Sequence, residues 1–156
     1  MTLIMGIDPG SLVTGYGLVT CDRRQIQLLT CGSIKASSKQ AFPIRLKAIF
    51  DRVSALIQEY QPNILAVEDI FYARNVKSVL KLGQVRGVVM LAGTISEVSI
   101  VEYPPRVVKM AVTGNGGASK EQVYHAVIRI LNIQNLSEVY DVTDALAIAI
   151  CQCHRL

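Results

Sequence analysis

Long apolar runs are missing from this chain: no stretch reaches the ~18 uninterrupted apolar residues that read as a membrane span. Its N-terminus has neither the basic region nor the cleavage site of a secretory signal, so a cytoplasmic protein without membrane attachment is expected. Cysteine is sparse. Cys21, Cys31, Cys151 and Cys153 follow neither zinc-finger spacing nor a disulfide framework, and they read as reduced, mostly buried thiols. Internal repeats, low-complexity tracts and linkers are also lacking, so residues 1–156 read as a single domain. What is present is apolar material spread evenly: 51% of 156 residues are hydrophobic, enough for a sizeable core and too much for a disordered chain.

Sixteen basic against twelve acidic residues leave a net charge of +4, which by itself argues weakly for a polyanionic partner. The distribution argues more strongly. Between Tyr72 and Lys120 the basic residues are Arg74, Lys77, Lys81, Arg86, Arg106, Lys109 and Lys120, opposed only by Glu97 and Glu102. The positive excess is therefore concentrated in one stretch, across which a polyanion is expected to lie.

The first third reads as a three-stranded meander: Leu3 to Asp8, a turn through Pro9, Gly10 and Ser11, then strands near Thr14 to Thr20 and Gln25 to Ile34. From about Ala41 to Tyr60, Ile44, Leu46, Ile49, Val53, Leu56 and Ile57 recur at near-helical spacing, and Pro62 marks the end. Ile64 to Glu68 is continuously apolar up to its last residue, as in a strand covered on both faces. A second long helix is predicted from about Asn75 to Ser96. Gly83, Gly87 and Gly93 interrupt it, each costing roughly 0.5–1 kcal/mol against alanine, so another backbone is expected close by, either within the chain or across a homodimer seam. A short strand from Val98 to Tyr103, a brief helix around Arg106 to Ala111 and a loop at Gly114, Asn115, Gly116 and Gly117 follow. Ser119 with Gln122 has the capping-box spacing that starts a helix to about Leu131, and a last helix begins near Asp141. This order predicts an α/β fold, a mixed five-stranded sheet with helices on both faces and a ligand cleft at the strand carboxyl ends.

Four carboxylates stand where charge is costly. Asp8 and Glu68 close apolar strands, and Asp141 and Asp144 lie three residues apart at the mouth of an apolar helix, on one face of it. Taken singly, Asp141 or Asp144 also suits a helix cap and Asp8 a turn. Taken together, clustered carboxylates raise one another's pKa, and a divalent ion reverses that balance. Oxygen ligands without a His and Cys cluster favour magnesium or manganese over zinc or copper. Two such ions about 3.5–4 Å apart activate water and stabilise the leaving oxygen in attack on a phosphodiester, so cleavage of a nucleic-acid backbone is expected.

Gly6 to Ser11 with Thr14, Gly15, Tyr16 and Gly17, then Ala66, Val67 and Glu68 with Phe71, then Ala73, Arg74 and Asn75 through Leu80, Lys81, Leu82, Gly83, Gln84, Arg86 and Gly87 form one ordered series. Tyr103, Pro105, Arg106, Val108 and Lys109 continue it, followed by Gly114, Asn115 and Gly116 with Lys120, Gln122 and Val123, and by Asp141 with Asp144, Ala145, Leu146 and Ala147. In this series the chain resembles the RuvC family of Holliday junction resolvases, ribonuclease H-like nucleases, over almost its whole length. The resemblance implies a ribonuclease H-like fold and catalytic, metal-binding acids at Asp8, Glu68, Asp141 and Asp144. It also implies two Mg2+ ions per site, with Mn2+ as a substitute, and products ending in a 5′-phosphate and a 3′-hydroxyl. Lys109 and Lys120 fall where the family places basic residues near the scissile phosphates, and Phe71 where an aromatic stacks at the opened junction centre. Arg74, Lys77, Lys81 and Arg106 are further candidates for contact with DNA. The implied partners are a four-way DNA junction, a second copy in a homodimer, and the RuvA and RuvB branch-migration proteins of DNA recombination and repair. One departure stands out: Gln152 occupies a position where the family commonly has His, and neighbouring His154 reads as a surface residue.

Asp8 with Pro9 and Gly10 also matches the first phosphate loop of actin-like and sugar-kinase ATPases, but 156 residues do not hold their second nucleotide-binding lobe. Retention of all four acids weighs against a purely DNA-binding module. A related ribonuclease H-like nuclease acting on another branched or hybrid substrate is the remaining alternative.

Overall fold

A computed structural model describes residues 1–23, 25–70, 75–136 and 140–156. The strands are β1 (Thr2–Asp8), β2 (Val13–Asp22), β3 (Gln25–Lys35), β4 (Ile64–Glu68) and β5 (Ser99–Tyr103). The helices are α1 (Phe42–Tyr60), α2 (Val76–Ile95), α3 (Pro105–Thr113), α4 (Lys120–Leu131) and α5 (Tyr140–Cys153). The expected mixed five-stranded sheet is present, in the order β3-β2-β1-β4-β5. β1, β2 and β3 form the antiparallel meander, and β4 and β5 add to β1 in parallel. A parallel neighbour needs a long crossover, and α1 and α2 are those crossovers.

Alternation along β1 separates two cores. Met5 and Ile7 face α1 and α2 with Leu18, Ile49, Val53, Leu56, Val85 and Val89, whereas Ile4 faces α3, α4 and α5 with Val108, Val127, Leu146 and Ile150. Each fully buried Val, Leu or Ile contributes roughly 1.5–3 kcal/mol. Helix α5 is buried on every side from Ala145 to Cys153, as its unbroken apolar sequence requires.

The sheet accepts this helix at very close range because the strand positions beneath it are glycines. Gly6 of β1 pairs with Gly17 of β2, and Gly15 pairs with Asp8. A Cβ on Gly6 would lie 2.1 Å from the Ala145 carbonyl oxygen, and one on Gly15 2.0 Å from that of Asp141. This strip of absent side chains sets the height of α5 above the strand ends.

Several local expectations are met in detail. Ser119 and Gln122 form a reciprocal capping box at α4, and Thr14 closes the turn after Asp8 by donating its hydroxyl to the Gly10 carbonyl at 2.9 Å. Cys21, Cys151 and Cys153 are buried thiols, and burial pushes those of Cys151 and Cys153 above their ordinary range. Helix α3 runs further than expected because Pro104 and Pro105 pre-set its first turn and Gly114, at φ 75°, closes it in the left-handed region.

The glycines of α2 divide into two kinds. Gly93 packs within the chain, where a Cβ would meet the Leu65 side chain at 2.6 Å, while among the described residues Gly87 has nothing within 4 Å and Gly83 only Ile70 at 3.6 Å. Helix α2 is also long and apolar enough to cross a bilayer by length and composition. Its Lys77, Lys81 and Arg86, and its buried Val85, Val89 and Ala92, instead suit a helix seated on a sheet.

Candidate active site

The carboxyl ends of the central strands open into a cavity of about 260 Å³ lined by Asp8, Glu68, Asp144, Lys109 and Lys120, with Pro105, Val108, Val123 and Ala147 as its apolar walls. Asp8 and Glu68 come from adjacent strands, and Asp144 comes from α5 above the glycine strip. Asp141, one turn earlier on α5, is absent from the lining, yet its charge reaches both Asp8 and Asp144.

These acids repel one another in a poorly solvated space. Burial, then Glu68, Asp144 and Asp141 in turn, push the Asp8 carboxyl from 3.8 up to about 9. Glu68 is pushed to about 7, first by burial and then by Asp144, while Lys109 and Lys120 pull against the shift. Burial also raises Asp144, and Lys120 lowers it from 3.7 Å away. Without a cation, burial and the neighbouring carboxylates favour the protonated form of Asp8.

Among the described residues no three acids converge on one point as a ready set of ligands. The donor chemistry nevertheless fits a hard divalent cation. The charged acceptors lining the cavity are carboxylates, no His or Cys among the described residues lines it, and a double positive charge opposes the burial and the repulsion that together raise Asp8.

The basic candidates separate by position. Lys109 of α3 and Lys120, the first residue of α4, enter the cavity. Arg106 is exposed and lies against Gly116, where a Cβ would meet its Cγ at 2.7 Å. Lys77 and Lys81 sit on α2 outside the cavity lining, and Lys81 lies over the Phe42 ring, 5.8 Å from its centroid. Phe71 and Arg74 lie outside the described residues.

The profile of the family described as "Crossover junction endodeoxyribonuclease RuvC" matches residues 4–152. The chain belongs to the RuvC family. RuvC of Prosthecochloris aestuarii is 46% identical over 149 residues, covering 96% of this chain and 80% of that protein. RuvC of Shewanella woodyi is 46% identical over 154 residues, covering 99% and 88%. Among solved structures, Thermus thermophilus RuvC in complex with a Holliday junction substrate superposes with a TM-score of 0.90 at 32% identity, covering 97% of this chain and 92% of that one. The yeast mitochondrial Holliday junction resolvase Ydc2, at 12% identity and a TM-score of 0.70, shares the fold over 96% of this chain and 77% of its own. With RuvC membership come the ribonuclease H-like fold and the enzyme class, a DNA endonuclease.

Two features of the RuvC site in this chain escaped the sequence reading. The glycine strip is signalled only by the two-residue spacing of Gly15 and Gly17, and its partner Gly6 emerges once the register is known. Arg86, grouped by sequence with the positive stretch, is instead neutralised by Asp69 and Glu102. At the departure from the RuvC pattern, buried Gln152 accepts a hydrogen bond from the Tyr103 hydroxyl. His154 is exposed, and its Nδ1 is 3.0 Å from the Ala111 carbonyl oxygen.

Proposed function

We propose that this chain, acting as one ribonuclease H-like unit over residues 1–156 in the cytoplasm, resolves four-way DNA junctions by nicking two like strands symmetrically. The observation that carries the proposal is the meeting of Asp8, Glu68 and Asp144, from three separate elements, in one cavity with Lys109 and Lys120, in a chain of the RuvC family. Asp8, Glu68, Asp144 and Asp141 would hold Mg2+, two ions per site, with Mn2+ as a substitute. Bound there, the cations supply charge for water activation and for the departing 3′-oxygen. The protein's part is positional. Glu68 and Asp8 fix the cation side of the cavity, and Lys120 at the start of α4 meets a phosphate oxygen where the helix dipole also favours negative charge. Lys109 adds a second positive charge, and the apolar wall of Val108, Val123 and Ala147 limits water.

A junction of approximate two-fold symmetry calls for two matched sites, and a two-fold dimer provides them. Val76, Leu80, Leu91 and Ile95 of α2 are more than half exposed, and Gly87 is exposed between them, so a second copy docking on this stripe supports such a dimer. Phe71, Arg74, Lys77, Lys81 and Arg106 then serve the DNA around the site, and RuvA and RuvB are the branch-migration partners.

The test is nicking of a synthetic four-way junction with Mg2+ by the wild type and by Glu68→Gln. Symmetric nicks with 5′-phosphates from the wild type, and binding without cleavage from the variant, are expected. Equal cleavage by Glu68→Gln removes Glu68 from the mechanism. Three-way and RNA–DNA hybrid substrates, run alongside, test the alternative of a related nuclease with another substrate.

A further inference from the structure

We propose that Arg86 is a positioning residue for the reaction: it fixes the end of β4 so that Glu68 is presented to the metal-binding cavity. The inference rests on the reading of Glu68 as a metal-binding acid. Arg86 lies on α2, on the sheet face opposite the cavity, and its side chain is only 15% exposed. Its Nε donates to the Glu68 carbonyl oxygen at 3.1 Å. The same guanidinium is bonded to the Glu102 carboxylate on β5 and stands 3.4 Å from Asp69 Oδ1.

These contacts converge where the sheet ends. Glu68 pairs with Tyr103 and Val67 with Glu102, and beyond Glu68 the Asp69 N–H still donates to the Tyr103 carbonyl at 2.8 Å. Asp69 Oδ1 accepts from the Ile70 N–H at 2.8 Å. One planar fork therefore ties the last peptide of β4, the residue after it and the neighbouring strand to a single helix. A carboxylate on the final residue of a strand moves with that peptide, and holding the peptide fixes the direction from which Glu68 enters the cavity.

A DNA contact by Arg86 is disfavoured by its low exposure and by two carboxylates that already consume its charge. Lysine cannot reproduce the arrangement, because one ammonium lacks the planar donor fork that spans a carbonyl and a carboxylate.

The experiment compares wild type, Arg86→Lys, Arg86→Gln and Glu102→Gln, with Glu68→Gln as reference. Two quantities are read as functions of divalent concentration: single-turnover cleavage of a saturating four-way junction with Mg2+, and the shift in melting temperature produced by Ca2+ without DNA. Positioning predicts that Arg86→Gln raises the divalent midpoint of both curves about tenfold, the scale typical when a group supporting a metal ligand is lost. Arg86→Lys restores little of this, Glu102→Gln gives a smaller shift in the same direction, and junction binding stays within about twofold of wild type. Should Arg86→Gln not fold, the Arg86→Lys and Glu102→Gln midpoints decide alone. A lowered melting temperature with unmoved midpoints means that Arg86 only fastens α2 to the sheet, and weakened junction binding at an unchanged midpoint means a DNA contact; either overturns the inference. Wild-type cleavage by Glu68→Gln overturns this inference together with the reading beneath it, whereas an impaired Glu68→Gln beside an unaltered Arg86→Gln overturns this inference alone.

Discussion

Gly15 lies directly beneath the first turn of α5, where a Cβ would come within 2.0 Å of the Asp141 carbonyl oxygen. Asp8 is the residue paired with Gly15 across the strands. The distance between the acids of β1 and those of α5 is thus set by a side chain that is absent, and it is sensitive to a single methyl group.

Gly15→Ala should therefore impair catalysis more than folding. The obstructing atom is backbone, so α5 must lift or shift, and overpacking of this kind typically costs 1–3 kcal/mol. Cleavage is expected to fall by at least tenfold while junction binding is kept. Gly17→Ala meets the flexible Leu146 side chain at 2.4 Å and should be milder. Thermal unfolding alongside single-turnover cleavage measures both, and equal activity of the two variants would contradict the argument.

Metal-free protein should lose stability as the solution becomes more basic. The Asp8 carboxyl is raised in the fold from 3.8 to about 9, so the fold favours its protonated form. That contribution is complete below about pH 4 and disappears as the pH rises through about 9. Asp8→Asn should flatten this slope and raise the melting temperature at pH 8 in the presence of EDTA, and Mg2+ should stabilise the wild type more than the variant. Melting curves from pH 5 to 9, with and without Mg2+, check the sign; a variant less stable than wild type at pH 8 without metal would refute it.

Sequence alone disclosed the elements with strong local signatures. Continuous Ile64 to Val67 marked a central strand, and Ser119 with Gln122 marked the start of α4, because such signals act over a few residues. Acids at the edges of apolar segments, two strands and one helix, singled out Asp8, Glu68 and Asp144 for a related reason: a charge at the edge of a core has few purely structural uses. Relations fixed by register stayed hidden. Gly6 opposite Gly17, and Arg86 turned toward Glu102 instead of a polyanion, depend on which strands lie side by side, and no local spacing encodes that.

Lys120 stands between two roles that make opposite predictions for metal binding. Its Nζ is 3.7 Å from Asp144 Oδ2, and its side chain is 64% exposed, so in the free protein it would compete with a cation proposed to bind that carboxylate. Lys120→Met should tighten divalent binding in the absence of DNA. If the lysine meets phosphate during the reaction, the same variant should lower single-turnover cleavage by roughly 10²-fold, with partial recovery in Lys120→Arg. Ca2+-dependent melting and Mg2+-saturated cleavage measure the two effects separately, and unimpaired cleavage would leave Lys120 as a partner of Asp144 only.

The open glycine of α2 gives a decisive test of the proposed dimer. Among the described residues nothing lies within 4 Å of a Cβ at Gly87, so Gly87→Leu starts its side chain into open space and gains up to about 1 kcal/mol of helix propensity. In a monomer the substitution should be neutral or stabilising. At a seam where a second backbone approaches, the same side chain fills the space that the partner needs, and dissociation follows. Sedimentation velocity is expected to give twice the chain mass for the wild type and a concentration-dependent shift toward the single chain for Gly87→Leu. The variant should also separate the two nicks in time, since each site then arrives at the junction independently. An undisturbed dimer in Gly87→Leu would move the seam away from the stripe of Leu80, Gly87 and Leu91.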